Sequence, residues 1–367
     1  PEKAKERKMK PPVNALFPVG VDGGRSRDLR EAVEKGAVEV EITIRRCPRC
    51  KVETYKYLCP RCGQRTKIVF YCPRCKIECK GEVCPSCGGK TRGYRRVRLR
   101  LKDELKDLCE RLGVRSLKGV KCVRGLMNEH REPEPIEKGV LRAKYGVYVF
   151  KDGTCRFDVT NAPLTHFKPS EVGLSVEKAR ELGYTHDYKG KPLTSADQVC
   201  ELKVQDIVIP YSCAEYLYKV ACFVDELLEK FYGLEPFYRL KRPEDLIGHL
   251  VVGISPHTFV CVVARVVGFT AANVQFAHPY FHAAKRRNCD GDEDSIILAL
   301  DLLLNFSRHY LPSKVGGRED APLALIPVIN PESVDDEVYN VDLVSGYPAE
   351  FYALTLQYSE PKDAKKH

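Results

Sequence analysis

Residues 47–64 read CPRCKVETYKYLCPRCGQ and residues 72–89 read CPRCKIECKGEVCPSCGG, so one pattern occurs twice at an offset of 25 residues. We call these stretches the first and the second cysteine module. Both have the spacing C-x2-C-x8-C-x2-C, and two C-x2-C turns can present four sulfurs in the tetrahedron that zinc prefers. The predicted zinc ligands are Cys47, Cys50, Cys59, Cys62, Cys72, Cys75, Cys84 and Cys87. Such sites are closed, so each zinc is expected to hold its module together rather than to do chemistry.

Redox cysteine pairs and an iron–sulfur cluster are the competing interpretations of these cysteines. A repeated four-cysteine group in a short basic segment favours structural zinc. The other cysteines of the 17 are scattered singly, a pattern typical of a reducing compartment rather than of a disulfide scaffold. No run of eighteen apolar residues occurs, and PEKAKERKMKPP lacks the apolar core of a signal peptide. We therefore expect a soluble, cytoplasmic protein that makes no contact with a membrane.

The positive charge is concentrated around the cysteine modules. The 367 residues carry a net charge of +10, and residues 41–100 hold 17 Lys or Arg against 4 Glu. Eight zinc-bound thiolates and two Zn²⁺ ions would still leave this segment at about +9. A surface of that charge favours a polyanion such as the phosphate backbone of DNA or RNA, although a merely solvated charged face is the alternative.

A second cluster of chemistry-bearing residues lies in FAHPYFHAAKRRNCDGDEDSIILALD, residues 276–301. The cations Lys285, Arg286 and Arg287 are followed by Asn288, Asp290, Asp292, Glu293 and Asp294. Carboxylates this close repel one another unless a divalent cation neutralises them, so the loop predicts a hard metal bound through oxygen, most naturally Mg²⁺. The neighbouring cations are suitably placed for the phosphates of a substrate.

Two other interpretations of this loop are possible. An EF-hand calcium loop fails in detail, because Ser295 stands where glycine is needed and Asp301 where a bidentate glutamate is preferred. The acids could also begin a helix predicted over residues 294–310, since carboxylates favour the positive end of a helix dipole. That second interpretation leaves the crowding of charges in the loop unexplained.

The polar residues of Asn288-Cys-Asp-Gly-Asp-Glu-Asp294 match, position for position, the NADFDGD loop of multisubunit RNA polymerases, which lies on a double-psi β-barrel. The longer stretch AHPYFHAAKRRNCDGDED, the twin CPRC modules and PPVNALFPVG near the start resemble the large subunit of archaeal family-D DNA polymerase. The likeness extends over essentially the whole chain. The family's large subunit is far longer, so the chain is expected to be a fragment of it.

The resemblance implies a replicative, DNA-directed DNA polymerase with its active site between two double-psi barrels. It makes Asp290 and Asp292 the principal Mg²⁺ ligands, with Asn288 supporting them, and it places Asp294 at the third aspartate of the motif. Lys285, Arg286 and Arg287 become candidate contacts to phosphate or DNA. The implied partners are primer–template DNA, dNTPs, a small subunit that carries the proofreading exonuclease and, through regions outside this chain, a sliding clamp.

The predicted fold class is α+β, a double-psi β-barrel core with two small four-cysteine zinc modules. The sequence also predicts a helix over residues 102–112, and two strands over 145–150 and 155–159 joined by a hairpin at KDG, residues 151–153. The predicted domains are a basic lead-in that contributes to the catalytic core (1–40), the tandem zinc modules (41–100), a helical connector (101–138), the barrel region (139–330) and a C-terminal extension with a charged tail (331–367). The alternative function is a zinc-ribbon module for nucleic-acid binding or assembly, with a structural acidic loop. A nuclease is a further option.

Overall fold

The computed structural model describes residues 5–288, 290–340, 344 and 346–364. Its strands are β1 (Lys5–Arg7), β2 (Val38–Thr43), β3 (Arg45–Arg46), β4 (Glu53–Thr54), β5 (Lys67–Ile68), β6 (Phe70–Tyr71), β7 (Glu78–Cys79), β8 (Tyr94–Leu99), β9 (Arg156–Pro163), β10 (His166–Phe167), β11 (Cys200–Glu201), β12 (Asp206–Pro210), β13 (Leu250–Ile254), β14 (Val260–Thr270), β15 (Val274–Ala277), β16 (Glu293–Leu298) and β17 (Ala324–Ile326). Its α-helices are α1 (Leu29–Glu34), α2 (Lys102–Leu112), α3 (Ile136–Tyr145), α4 (Val176–Glu181), α5 (Tyr211–Leu227), α6 (Pro279–Ala284), α7 (Ala299–Asn305), α8 (Ala349–Leu356) and α9 (Pro361–Ala364). A π-helical turn, Leu228–Tyr232, extends α5.

Six strands close into a barrel in the order β9–β15–β12–β14–β13–β16, because β16 also pairs with β9. The pairs β9–β15 and β12–β14 are parallel, and the other four are antiparallel. Valine and isoleucine recur in these strands, as in the sequence VCVVARVVGFT of β14, and such β-branched side chains pack well on a pleated surface. The structure is therefore mixed α/β with a closed barrel and two small cysteine modules, which confirms the fold prediction at this level.

Helix α5 packs against the barrel. Its buried side chains include Cys213, Leu217, Val220 and Val224, which recur every three or four residues and so lie on one face. They join barrel residues such as Phe157 in the main hydrophobic core. Burying each large apolar side chain stabilises the fold by roughly 1.5–3 kcal/mol, so this helix is a principal support of the barrel.

The lead-in before α1 lies inside the fold although it is largely irregular. Its fully buried side chains include Val13, Ala15, Phe17 and Val19. The Asn14 side chain donates to the backbone oxygen of Val147 at 2.8 Å. Since Ala15, Phe17 and Val19 belong to the main hydrophobic core, this segment is part of the body that supports the barrel.

The cysteine modules lie between β2 and β8, two antiparallel strands that register Val38 opposite Leu99 and Thr43 opposite Tyr94. In and around the first module, β3 pairs with both β4 and β5, and at the second module β6 pairs with β7. Both modules are therefore insertions between the two strands of one hairpin-like pair.

Two secondary-structure predictions are wrong. The helix expected over residues 294–310 begins only at Ala299, because Glu293–Leu298 forms β16 and pairs with both β9 and β13. The strand predicted over residues 145–150 is absent from the described structure, and with it the hairpin at residues 151–153, since Tyr145 ends α3 and a turn follows. By contrast, the helix predicted over Lys102–Leu112 has these bounds in the structure.

Candidate functional site: a carboxylate loop at the barrel and two cysteine quartets

The four cysteines of each module converge in the structure. Within each quartet the sulfur atoms lie within 4.8 Å of one another, and two of the four cysteines are buried. The Sγ atoms of Cys47 and Cys62 are 3.6 Å apart, and the matching pair Cys72 and Cys87 is 3.7 Å apart. Such clustering of thiols is the donor set of a tetrahedral zinc site. The prediction that these eight residues form two groups that could hold a metal is confirmed.

Backbone N–H groups prepare each quartet for metal. The N–H of Cys50 donates to Cys47 Sγ at 3.3 Å and lowers the pKa of the Cys47 thiol to about 7. In the second module burial opposes ionisation of Cys84, but the N–H groups of Cys87 and Ser86 lower the pKa of the Cys84 thiol to about 6. Because the thiolate is the form that binds metal, each module presents one cysteine that ionises near neutral pH.

The carboxylate loop connects α6 to β16 at one end of the barrel. Asn288 and Asp290 are exposed and Asp292 is half-buried. The N–H of Asn288 donates to Asp292 Oδ2 at 3.3 Å, so a hydrogen bond closes the loop across its base. Gly291 has φ +107°, a conformation that residues with a side chain rarely adopt, which explains the glycine between the two aspartates. Cys289 lies outside the described residues.

These residues fit a Mg²⁺ ion by their chemistry. Asp290 and Asp292 offer hard carboxylate oxygens at the surface, and Mg²⁺ is usually held by one or two carboxylates together with water and substrate phosphates. Among the described residues, groups of three or more metal-ligand side chains within 4.8 Å are found in the cysteine quartets and not in this loop.

Asp294 differs from the other two aspartates in its burial and its partners, although it is close to them in sequence. It is the second residue of β16, fully buried, and forms an ion pair with Lys285, which is itself buried. The Ser255 hydroxyl and the Asn161 side-chain amide also donate to its carboxylate, the latter at 2.8 Å. Burial opposes ionisation, but Lys285 and the other donors hold the pKa of the Asp294 carboxyl below its ordinary value.

The other two candidate cations stay near the surface. Arg286 is exposed, and Arg287 is half-buried, with its guanidinium 3.9 Å from Asp292 Oδ2 and 2.5 Å from the backbone oxygen of Pro256. Both line a cleft of about 1860 Å³ together with Asn288 and Asp290. Most of the other residues that line the cleft belong to the segment from Ile326 to Ala364. Of the three predicted cations, the structure thus brings Arg286 and Arg287 to the cleft and Lys285 to the interior.

The histidines nearby have structural roles. His282 is fully buried and its Nε2 lies 3.1 Å from the backbone oxygen of Ala162. Burial lowers the pKa of its imidazole to about 3, so it stays neutral at physiological pH. His278 caps α6 by accepting a hydrogen bond from the N–H of Tyr280. These contacts give His278 and His282 structural roles in and around α6.

Neither Asn161 nor Ser255 was predicted to belong to the site. Asn161 contacts Asp294 from within β9, and Ser255 contacts it from the position just after β13. Asn161 is 1% exposed. Asparagine is uncommon inside strands, so its place in the strand-like run RFDVTNAP was the available signal. Nothing local to Ser255 marks it.

No helix in the described part of the chain is both long enough and apolar enough to cross a lipid bilayer.

Sequence comparison places the chain among archaeal polymerase subunits. The model for the family described as DNA polymerase II large subunit DP2, catalytic domain, matches residues 113–367, and the model for the DP2 central domain matches residues 1–81. The DNA polymerase II large subunit of Archaeoglobus fulgidus is 51% identical over 376 residues, covering 100% of this chain and 33% of the relative. The corresponding subunit of Pyrococcus furiosus is 52% identical over 371 residues, covering 99% of this chain and 29% of the relative.

The subunit from Methanothermobacter thermautotrophicus is 49% identical over 363 residues, covering 99% of this chain and 31% of the relative. The chain belongs to the family of DNA polymerase II large subunits, the large subunits of archaeal family-D DNA polymerase. The resemblance to the large subunit of archaeal family-D DNA polymerase is thereby confirmed. The chain spans about a third of the length of the curated relatives it matches.

Proposed function

We propose that this chain forms part of the catalytic core of a DNA-directed DNA polymerase that transfers nucleotides to a primer during DNA replication. The observation that carries the proposal is the position of the carboxylate loop, which leads into strand β16 of a closed barrel and whose Asn288 and Asp290 line a large cleft in a chain of this family. A cleft of about 1860 Å³ has room for a nucleotide and the end of a primer.

Asp290 and Asp292 are the proposed Mg²⁺ ligands of this site. When bound, Mg²⁺ would lower the pKa of the primer 3′-hydroxyl and neutralise charge on the nucleotide triphosphate. Asn288 would keep Asp292 in place through the hydrogen bond across the loop. Arg286 and Arg287, on the same cleft wall, would attract the triphosphate and stabilise the negative charge that builds on it.

The double-psi type of the barrel is part of this proposal. Its support is the closed ring of six strands with two parallel and four antiparallel pairs, and the place of the loop at the start of one of those strands. The domain boundaries near residues 40, 100, 138 and 330 stay predictions, as do the roles of Lys285 and Asp294 in chemistry.

Zinc is the metal we propose for the cysteine quartets, because four clustered thiols in a short segment match its preferred ligand set. The modules would stiffen a basic surface that contacts the phosphate backbone of primer–template DNA. Zinc analysis of purified protein should return two ions per chain. A value well below two would contradict this assignment.

The remaining partners follow from the family and from the resemblance. The complete enzyme would pair the large subunit with a small subunit that carries the proofreading exonuclease, and it would meet the sliding clamp through regions outside this chain. A replicative polymerase of an archaeon acts in the cytoplasm, where reduced thiols are maintained. The alternative, a zinc-ribbon assembly module with a structural acidic loop, is not favoured, because the family match over residues 113–367 is to a catalytic domain.

The test is primer extension by the complete two-subunit enzyme carrying Asp290→Asn and Asp292→Asn. We expect nucleotide incorporation to fall by at least about 10³-fold, since loss of metal ligands removes most of the electrostatic stabilisation of the transition state. Primer–template affinity should change by less than about threefold, as both side chains are neutralised rather than reversed. Extension at the unaltered rate would place catalysis elsewhere. If the variant lost both DNA binding and extension, the aspartates would be needed for folding or for DNA binding rather than for catalysis alone.

A further inference from the structure

The buried carboxylate of Asp294 is saturated by protein donors. Its Oδ1 accepts from the Ser255 hydroxyl, and its Oδ2 accepts from both Lys285 Nζ and Asn161 Nδ2. All four side chains are at most 2% exposed. A carboxylate that turned toward a metal in the cleft would abandon a buried ammonium, and leaving one member of a buried ion pair without its partner is strongly unfavourable.

Asn161 connects this buried carboxylate to the exposed part of the loop. Its backbone N–H donates to the backbone oxygen of Asp292 at 2.8 Å, while its side chain donates to Asp294 at 2.8 Å. The register of β9 and β16 sets Val159 opposite Asp294, so the Asn161 side chain, two residues further along, emerges on the same face of the sheet. Asn161 of β9 therefore binds both Asp292, the last residue of the loop before β16, and Asp294, the second residue of β16.

The polar side chain of Asn161 has a cost in stability. Asn161 Oδ1 is buried and makes no hydrogen bond with any residue that the structure describes. An unsatisfied buried acceptor lowers stability, and an apolar residue at this strand position would avoid that cost. The amide orientation is nevertheless set by charge, because the opposite one would point an oxygen at the carboxylate of Asp294.

Space for the buried ammonium is built into the neighbouring strand. A Cβ atom on Gly253 of β13 would lie 3.1 Å from Lys285 Cδ and 3.2 Å from Phe281 Cζ. The Lys285 ammonium lies 4.2 Å from the centre of the Phe281 ring, within the range of a cation–π contact. Lys285 is thus held in the interior by packing as well as by charge.

We propose that Asp294 anchors the carboxylate loop from within instead of ligating Mg²⁺, and that Asn161 is the positioning residue that transmits this anchor to Asp292. The inference rests on the proposed function, because it explains how the same loop is held for metal binding. It also takes Lys285 out of the set of phosphate contacts and leaves Arg286 and Arg287 as the cations of the cleft.

The first test measures Mn²⁺ affinity by electron paramagnetic resonance, with the complete two-subunit enzyme bound to a dideoxy-terminated primer–template and the next dNTP. Asn161→Ser keeps the backbone N–H that holds Asp292 but shortens the side chain that reaches Asp294. We expect Mn²⁺ affinity to fall about tenfold, as for other partners that orient metal ligands from outside the ligand set. The matched control is Gln275→Leu. Gln275 lies opposite Asn161 in the register of β15 and β9, and its side-chain amide is likewise fully buried but makes no hydrogen bond to the loop residues that the structure describes. Its Mn²⁺ affinity should be unchanged.

The second test separates an anchor from a ligand. Asp294→Asn should weaken Mn²⁺ binding about tenfold, and adding Lys285→Met should restore it to within about threefold, because the second change removes the buried ammonium that has lost the Asp294 carboxylate. If Asp294 were a ligand, Asp294→Asn would lose Mn²⁺ as completely as Asp290→Asn does, and Lys285→Met would restore nothing. That outcome overturns the inference.

Folding of each variant is checked by circular dichroism and thermal unfolding. Should Asp294→Asn fail to fold, Asn161→Ser decides the matter, since unaltered Mn²⁺ affinity in that variant contradicts the positioning role. The two proposals fail in different ways. If Asp290→Asn leaves Mn²⁺ affinity and extension intact, the proposed function is wrong. If Asp290→Asn abolishes both while Asn161→Ser and Asp294→Asn change neither, only the anchor is wrong.

Discussion

The two cysteine modules share their spacing but differ in how they are attached to the rest of the protein. Tyr55 of the first module packs against the main hydrophobic core, with its ring 5.7 Å from that of Phe17 and its hydroxyl 2.5 Å from Glu104. Just before the first module, Arg45 forms a largely buried ion pair with Glu132 at 3.0 Å. The first module is therefore part of the body of the protein.

The second module has weaker attachments. Its links to the rest of the protein include the exposed ion pair of Glu78 with Arg46 and, in the residues that flank the module, the exposed ion pair of Lys90 with Glu129 and an edge contact of Phe70 with His130. Exposed ion pairs contribute little to stability. At the position that matches Tyr55, 25 residues later, the second module has the exposed Lys80. The two modules thus share a cysteine framework but differ in the side chains outside it, of which Tyr55 reaches the core and its counterpart Lys80 does not.

The largest effect should come from removing one metal site at a time. We expect Cys47→Ser to lower the free energy of unfolding of the whole chain by more than about 4 kcal/mol, because the first module carries part of the main core. Cys72→Ser, its counterpart, should cost less than about 1 kcal/mol on the same signal and unfold only its own module. Denaturant titration with zinc analysis measures both. Equal losses would break the distinction between an integrated and an appended module.

Substitution of the matched residues outside the metal framework should have the next largest effect. Tyr55→Ala is expected to cost about 2 kcal/mol of unfolding free energy through lost burial and ring contact, and Tyr55→Phe about 1 kcal/mol through loss of the hydroxyl contact with Glu104. Lys80→Ala is the matched control and should stay within about 0.5 kcal/mol. Denaturant titration measures all three. A cost for Tyr55→Ala no greater than that for Lys80→Ala would show that the ring does not attach the module.

The smallest effect concerns DNA. Lys51 and Lys76 occupy equivalent positions, with φ +59° and +56°, but Lys76 lines a cleft of about 280 Å³. The remaining wall of that cleft comprises Glu41, Tyr71, Pro73, Arg92, Tyr94, Arg95 and Arg96. Cations beside aromatic rings suit single-stranded nucleic acid, which supplies phosphates and stacking bases.

We therefore expect Lys76→Ala to weaken primer–template binding by the complete enzyme about threefold and to reduce the slope of log affinity against log salt by about 1. Lys51→Ala is the matched control and should change the affinity less. Fluorescence anisotropy over a range of salt concentrations measures both quantities. If both variants lost the same affinity for primer–template DNA, Lys76 would contribute only its charge, and its position in the cleft would not matter.

Local patterns in the chain were sufficient for some of these conclusions. The eight cysteines could be assigned because two C-x2-C turns encode a metal site within a few residues. Helix α2 was predicted with its observed bounds, and it ends at Gly113, whose φ is +64°. The carboxylate loop was found because acids and an asparagine at alternate positions are chemically unusual wherever they occur.

Other features depended on contacts between distant segments. The run Ser295–Leu298 has no clear period, and it forms a strand because β9 and β13, each distant in sequence, pair with its two edges. For the same reason three aspartates within five residues have different surroundings. Asp290 and Asp292 lie before the first residue of β16 and remain at least partly exposed, whereas Asp294 lies within β16 and is buried.

The two sets of candidate ligands could be recognised without a structure, thiolates for a soft metal and carboxylates for a hard one, because that chemistry resides in residue types and their local spacing. Only the tertiary structure decided which carboxylate is buried against Lys285, which cysteine module packs into the core, and that Asn161 lies beneath the loop. These features depend on how whole elements pack: β9 brings Asn161 to Asp294, 133 residues further along the chain, and β16 carries Asp294 into the interior beside Lys285. Local spacing carries no record of that packing.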